Sequence, residues 1–247
     1  MTTRGAGAES RVTTVVLAAR GDARLARTLA SVAWTADPIV LDPARRLAGR
    51  ELPSGARSVA AAHLEGVTVR PWVLLLVEGE VVTPPLADAV ETATRGGDAA
   101  AYRIPLEVHG QGGILRPRRA PLRLAPAVGV RIRLAPGLGP ALGTSHRPAA
   151  ILGVPLMAYR ATSLGEMVTD LDAEGATLAA LLHAARVRPS RLRATLAALA
   201  AAATLMTARR AARAPWARWG LAVSAGYRAI VTYAKVWELA RADGTAA

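Results

Sequence analysis

The apolar positions of this chain follow two patterns, short β-branched runs in the first two thirds and long alanine- and leucine-rich periodic segments in the last third. Residues 12–19 (VTTVVLAA) predict a strand, Arg20-Gly21-Asp22 a turn, and Leu25, Leu29 and Val32 a helix over residues 23–32. Residues 38–42 (PIVLD) predict a second strand that ends in an acid. The β-α-β rhythm is that of a parallel sheet, with Asp22 and Asp42 both at strand ends. Residues 43–70 show no clear pattern beyond a helix near 58–64. Residues 72–80 (WVLLLVEGE) then give six apolar or aromatic positions in a row, the signature of a strand buried on both faces, and run straight into Glu78, Gly79 and Glu80.

Pro84 and Pro85 can open a helix over 86–94, since proline is tolerated in a first turn. Residues 99–105 predict another strand. From 110 to 143 the chain is rich in Gly, Pro and Arg and predicts loops and short strands. Helical spacing returns over 164–185. Two further helices follow, about 191–213 and 216–241, with Pro189 and Pro215 as breaks. Apolar segments at 194–207 and 219–237 do not predict spanning helices: the first is shorter than the ~20 residues required, and the second contains Arg228 and Lys235.

Composition adds a sign to this pattern. Thirty-one basic residues against 18 acidic ones leave a net charge of +13, which favours anionic partners such as nucleotide phosphates or an acidic bilayer face. Arg186, Arg188, Arg191 and Arg193 lie on one side of the terminal helices and Arg209, Arg210, Arg213 and Arg218 on the other. Apolar helices with basic flanks and tryptophans suit a segment lying on a membrane surface, the alternative being a helical hairpin packed on the core with its arginines in water. Nucleic-acid binding is disfavoured, because the arginines are not interleaved with aromatic residues that stack bases. There is no cysteine, which excludes disulfides and thiolate metal sites. No secretory signal is visible, so a cytoplasmic protein peripheral to the inner face of the plasma membrane is expected. His63, His109, His146 and His183 show no metal-ligand spacing.

The candidate chemistry centres on Glu78 and Glu80. At spacing i, i+2 the two side chains lean the same way if the backbone stays extended through Gly79, one geometry for holding a divalent cation through oxygen ligands. The other reading is a solvated turn ahead of Pro84.

Several stretches together resemble a family 2 glycosyltransferase of GT-A fold, of the type that builds lipopolysaccharide core and related envelope glycans. The similarity runs from about residue 12 to 241. It is carried by Trp72 to Leu76, which matches a Trp-Val-Leu-x-Leu strand, and by YAKVWE at 233–238, which matches a Tyr-Ala-Lys-Leu-Trp-Glu ending. AAYRIP at 100–105, Leu122 to Leu124 and PLMAYRATSL at 155–164 echo further family segments. The resemblance implies a GT-A-like (Rossmann-like), mixed and mostly parallel sheet flanked by helices, with a C-terminal helical hairpin. It divides the chain into a tail (1–10), a GT-A-like domain (11–188) and basic amphipathic helices (189–247).

The resemblance further implies transfer of a sugar from a nucleotide-diphosphate donor to a lipid-linked or envelope glycan acceptor. Asp22 and Asp42 would then hold the nucleotide. Glu78 and Glu80 would stand in for a metal motif binding Mn or Mg, and Arg116, Arg118, Arg119 and Arg123 would neutralise donor or acceptor phosphate. The departures are specific. Val77 and Gly79 occupy the places of the family's two aspartates, Met157 replaces a histidine, and no general base is identified between Leu124 and Met157, where only His146 stands, followed by Arg147. Two functions follow, an active transferase or a catalytically inactive homologue that binds a glycan precursor or a partner at the membrane surface.

Overall fold

The computed structural model describes residues 10–35, 38–60, 64, 70–96, 101–110, 113–117, 119–135, 139–144, 150–161, 163–188, 190–206 and 215–244. The chain order is β1 (Val12–Leu17), α1 (Ala23–Ser31), β2 (Ile39–Leu41), a 3-10 turn (Pro53–Gly55), β3 (Arg57–Val59), β4 (Trp72–Val77), β5 (Glu80–Val81) and α2 (Pro84–Gly96). Next come β6 (Tyr102–Arg103), β7 (Leu106–Gly110), β8 (Gly113–Leu115), β9 (Leu122–Pro126), β10 (Arg131–Ala135) and β11 (Gly139–Gly143). The last elements are β12 (Ala150–Ile151), β13 (Leu156–Tyr159), α3 (Leu164–Ala184), α4 (Arg191–Met206) and α5 (Pro215–Ala242).

Seven strands form one mixed sheet in the order β12-β6-β9-β4-β1-β2-β3. Its centre is parallel, with Val12–Leu17 registered residue for residue against Trp72–Val77, and β9 runs antiparallel to β4. The expected α/β architecture with a mixed sheet flanked by helices is therefore present. Side chains alternate between the two faces of the sheet as the pleat requires. Val16, Leu74 and Leu76 face Leu25 and Leu29 of α1 and Leu86 and Val90 of α2. Val15, Leu17, Val73 and Leu75 face the opposite side, against Leu142 and against Leu178 and Leu181 of α3. Because both faces are covered, β4 reads as one continuous apolar run.

A second sheet, in the order β5-β13-β7-β8, stands next to the carboxyl ends of the central strands. The chain enters it at Gly79, whose φ of +90° turns the backbone out of β4 and into β5. Residues 72–80 are thus not one strand. A turn at Glu78 and Gly79 stands in place of the extended backbone that would have aligned Glu78 with Glu80, and residues 57–59, at the start of the helix expected near 58–64, form β3 at the sheet edge, residues 61–63 lying outside the described residues. Glu78 and Gly79 do form a turn, but the half-buried Glu78 directs its carboxylate on to backbone amides, as described below, and Glu80 is buried.

The last three helices pack in series. Ser224 Oγ contacts Met167 Sδ at 3.3 Å, and Lys235 pairs with Asp172 at 2.8 Å, so α5 lies along α3. Gly226 brings α5 close to Ala198 of α4: a Cβ placed there would sit 3.5 Å from the Ala198 carbonyl oxygen. Leu192, Leu196, Leu199 and Met206 of α4 and Trp219, Val223, Tyr227, Ile230 and Trp237 of α5 remain exposed, each set at helical spacing. No described helix is long and apolar enough to cross a membrane.

Candidate functional site

The carboxyl ends of β1 and β4 meet the loop that leads into α1, the place where open α/β sheets bind ligands. Four consecutive backbone amides converge there, and all of them point at Glu78. Its Oε2 accepts from Ala19 N at 2.7 Å and Arg20 N at 2.8 Å, Gly21 N lies 3.1 Å from both oxygens, and Asp22 N lies 3.3 Å from Oε1. Successive amides of this kind form a concave anion site, here ahead of the N-terminus of α1. The chain fills it with its own carboxylate. Gly21 makes the curvature possible, with φ +69° and no room for a side chain, since a Cβ would meet Leu47 Cδ2 at 2.1 Å.

The other predicted residues are committed elsewhere. Asp22 is the N-cap of α1, accepting from Arg24 N at 2.9 Å, and it also pairs with the Arg20 and Arg24 side chains. Asp42 is buried, and its Oδ2 accepts from Leu47 N at 2.6 Å, so it ties down the loop after β2. Arg116 pairs with Glu107 in the second sheet, its Nε donating at 2.7 Å to Oε2, while Arg119 is exposed. Arg118 and His146 lie outside the described residues. Among the described arginines Arg123 is buried, whereas Arg116 and Arg119 are exposed.

Glu80 is 3% exposed and Arg123 is 1% exposed. Arg123 Nη2 donates to Glu80 Oε1 at 2.6 Å, and the other oxygen of Glu80 accepts from Val77 N at 2.8 Å. Burial pushes the Glu80 carboxyl above its ordinary range and the Arg123 guanidinium below its own, so desolvation outweighs the attraction within the pair. Nε and Nη1 of Arg123 have no partner among the described residues. A buried donor left unsatisfied costs about 1–3 kcal/mol, and more when it is charged.

A small open cavity lies against this pair, with about 30 Å³ of room for water-sized occupants. Arg160, Glu174 and Arg228 complete its polar wall. Glu174 binds Arg160 through Oε1 and Arg228 through Oε2, the latter at 2.8 Å. Burial alone would raise the Glu174 carboxyl, but the two guanidiniums outweigh it and hold the group down at about 2. Alongside, Asp170 takes Arg20 at 2.8 Å together with Arg24, so α3 is bound ionically to the loop that encloses Glu78. Thr177 Oγ1 adds a bond to the Ala18 carbonyl at 3.0 Å.

A divalent cation needs several anionic oxygens converging on one point. The oxygens of Glu78 face four amides and those of Glu80 face an amide and a guanidinium, and no group of three or more His, Asp or Glu residues is placed to hold a metal ion among the described residues. The expected Mn or Mg site built on Glu78 and Glu80 does not fit this arrangement. Arg24, Arg160, Asp170, Glu174 and Arg228 were missed by sequence reasoning. One signal was available: Asp170 and Glu174 stand four apart on one face of α3, and Arg228 interrupts an otherwise apolar helix.

No protein-family model matches the chain, and no curated protein matches it in sequence.

Two outcomes follow from this geometry. Glu78→Ala leaves four amides without their acceptor and lowers stability by about 1–3 kcal/mol or more in urea unfolding, with partial recovery in formate or acetate, which can occupy the vacated nest. Glu174, held near 2 against an ordinary 4.5, stabilises the fold fully above pH 4.5 and progressively less as pH falls from 4.5 toward 2. Glu80, raised instead, acts in the opposite sense, its contribution being greatest below 4.5 and lost as pH rises. Acid unfolding of Glu174→Gln, compared with the unmodified protein, therefore shows a shallower loss between pH 4.5 and 2.

Proposed function

We propose that this protein is a catalytically inactive, glycosyltransferase-like binding protein that works at an anionic membrane surface. The observation that carries the first half is the seat of Glu78. The amide nest at the carboxyl ends of the central strands, where a donor's phosphate would otherwise find its donors, is filled by a side chain of the protein itself. Glu80, the one acid retained from the motif that the resemblance implies, is spent on Arg123. Asp22 and Asp42, assigned by the same resemblance to the nucleotide, are spent on a helix cap and a loop. A fold can outlast the site it once carried, and the scaffold then serves binding.

The second half rests on the terminal helices. Residues 186–241 contain ten arginines and Lys235 but a single acid, Glu238. The apolar stripes of α4 and α5 face outward within that basic stretch. Hydrocarbon contact together with attraction to lipid phosphates is the physical basis of surface-lying membrane segments. The partner that follows is a lipid-linked glycan precursor, or another protein of the same surface.

Calorimetry with uridine and guanosine diphosphate sugars, with and without manganese, tests the first half. The expected outcome is no metal-dependent binding. Metal-dependent binding that Glu80→Ala abolishes would instead establish the active transferase. For the second half, co-sedimentation with vesicles of phosphatidylglycerol and phosphatidylcholine is expected to fall as sodium chloride rises from 50 to about 500 mM and on replacing Leu192, Leu196 and Leu199 with serine, all three being exposed. Binding that ignores both changes would remove the membrane from the proposal.

A further inference from the structure

The cavity beside Glu80 poses a problem of its own. Arg123 is sealed from solvent, yet only one of its three nitrogens has a partner among the described residues. The wall holds three guanidiniums, Arg123, Arg160 and Arg228, against two carboxylates, Glu80 and Glu174. Glu174 is shared between Arg160 and Arg228, and the nearby Asp170 is taken by Arg20 and Arg24. Glu80 satisfies one nitrogen of this buried cation; leaving the other two without an acceptor is unfavourable unless a further acceptor, such as an anion, completes them. Of the remaining lining side chains Thr177 is the polar one, and its hydroxyl donates to the Ala18 carbonyl at 3.0 Å; Leu17, Leu106, Val108 and Ala158 offer no acceptor side chain.

We propose that this cavity is a binding site for a small oxyanion, a carboxylate or phosphate group accepting from Arg123 with Arg160 and Arg228 at the entrance. Arg160 supplies the way in, since a third of its side chain reaches solvent while Arg123 lies at the closed end. The site is distinct from the amide nest that Glu78 fills, and it stands whether or not the chain transfers sugar. A free ion and the terminal group of a larger metabolite share this chemistry, and they are told apart by size.

The test is thermal unfolding of the full chain at fixed ionic strength in sodium formate, sodium phosphate, glycerol 3-phosphate or sodium gluconate, with calorimetric titration of each anion. Expected is a saturable rise in Tm of about 5–10 °C at a hundredfold excess over the dissociation constant, for formate or phosphate and not for the bulkier gluconate. A response to phosphate but not to glycerol 3-phosphate identifies a free ion as the ligand; a response to both identifies a terminal phosphate group. The paired variant Glu80→Gln/Arg123→Met removes the buried cation together with its partner and is expected to abolish the response. Should that variant not fold, Arg228→Gln is expected to weaken the anion at least tenfold. Equal responses to all four anions, no saturation, or an unchanged response in the variants would overturn the site and leave internal water to satisfy the two remaining nitrogens of Arg123.

Discussion

The carboxylate of Glu78 on the amides of residues 19–22 is the contact around which this molecule is arranged. It joins the end of β4 to the loop between β1 and α1 through a charged acceptor shared by four donors, and such bonds are shorter and stronger than neutral ones. Everything at that edge of the sheet is set by it. The loop curves because its amides must converge, Gly21 supplies the left-handed φ of +69° that this curvature takes, and Asp22 is left to cap α1. Thr28 Oγ1 of that helix then accepts from Gly79 N at 3.0 Å, which fixes the turn into the second sheet.

Around this contact the charges are layered by how much water they keep. Arg20, Asp22 and Arg24 are partly open and close over Asp170. Arg160 and Arg228 share Glu174 at the next depth, and Arg123 with Glu80 lies deepest. The deeper the pair, the more desolvation counts against attraction. At Glu174 two hydrogen-bonded cations reverse the effect of burial, whereas at Glu80 burial prevails over Arg123 and the more weakly acting Arg160. The ion pairs also hold three separate parts of the fold together: the β1–α1 loop, the second sheet, and the helices α3 and α5.

Much of the architecture was legible because it depends on periodicity. The uninterrupted apolar run at 72–77 required a strand covered on both faces, and the structure covers it with α1 and α2 on one side and α3 on the other. The Leu25, Leu29, Val32 spacing required a helix packed beside it. The site was less legible, for a physical reason. A carboxylate at a strand end can accept from a metal, a ligand or the backbone, and residue type does not distinguish these partners. The sign of φ at Gly79 decides how Glu78 and Glu80 are aimed, and a glycine permits either sign. Arg228 and Arg20 reach their acids on α3 from positions more than fifty residues away, which no local pattern connects.

Gly79 limits how this molecule can change. Any side chain placed there meets a left-handed backbone and a carbonyl oxygen of Tyr159 only 3.0 Å from its Cβ. A substitution would strain the very turn on which the second sheet depends, so the hinge between the two sheets accepts a residue other than glycine only at a cost in folding.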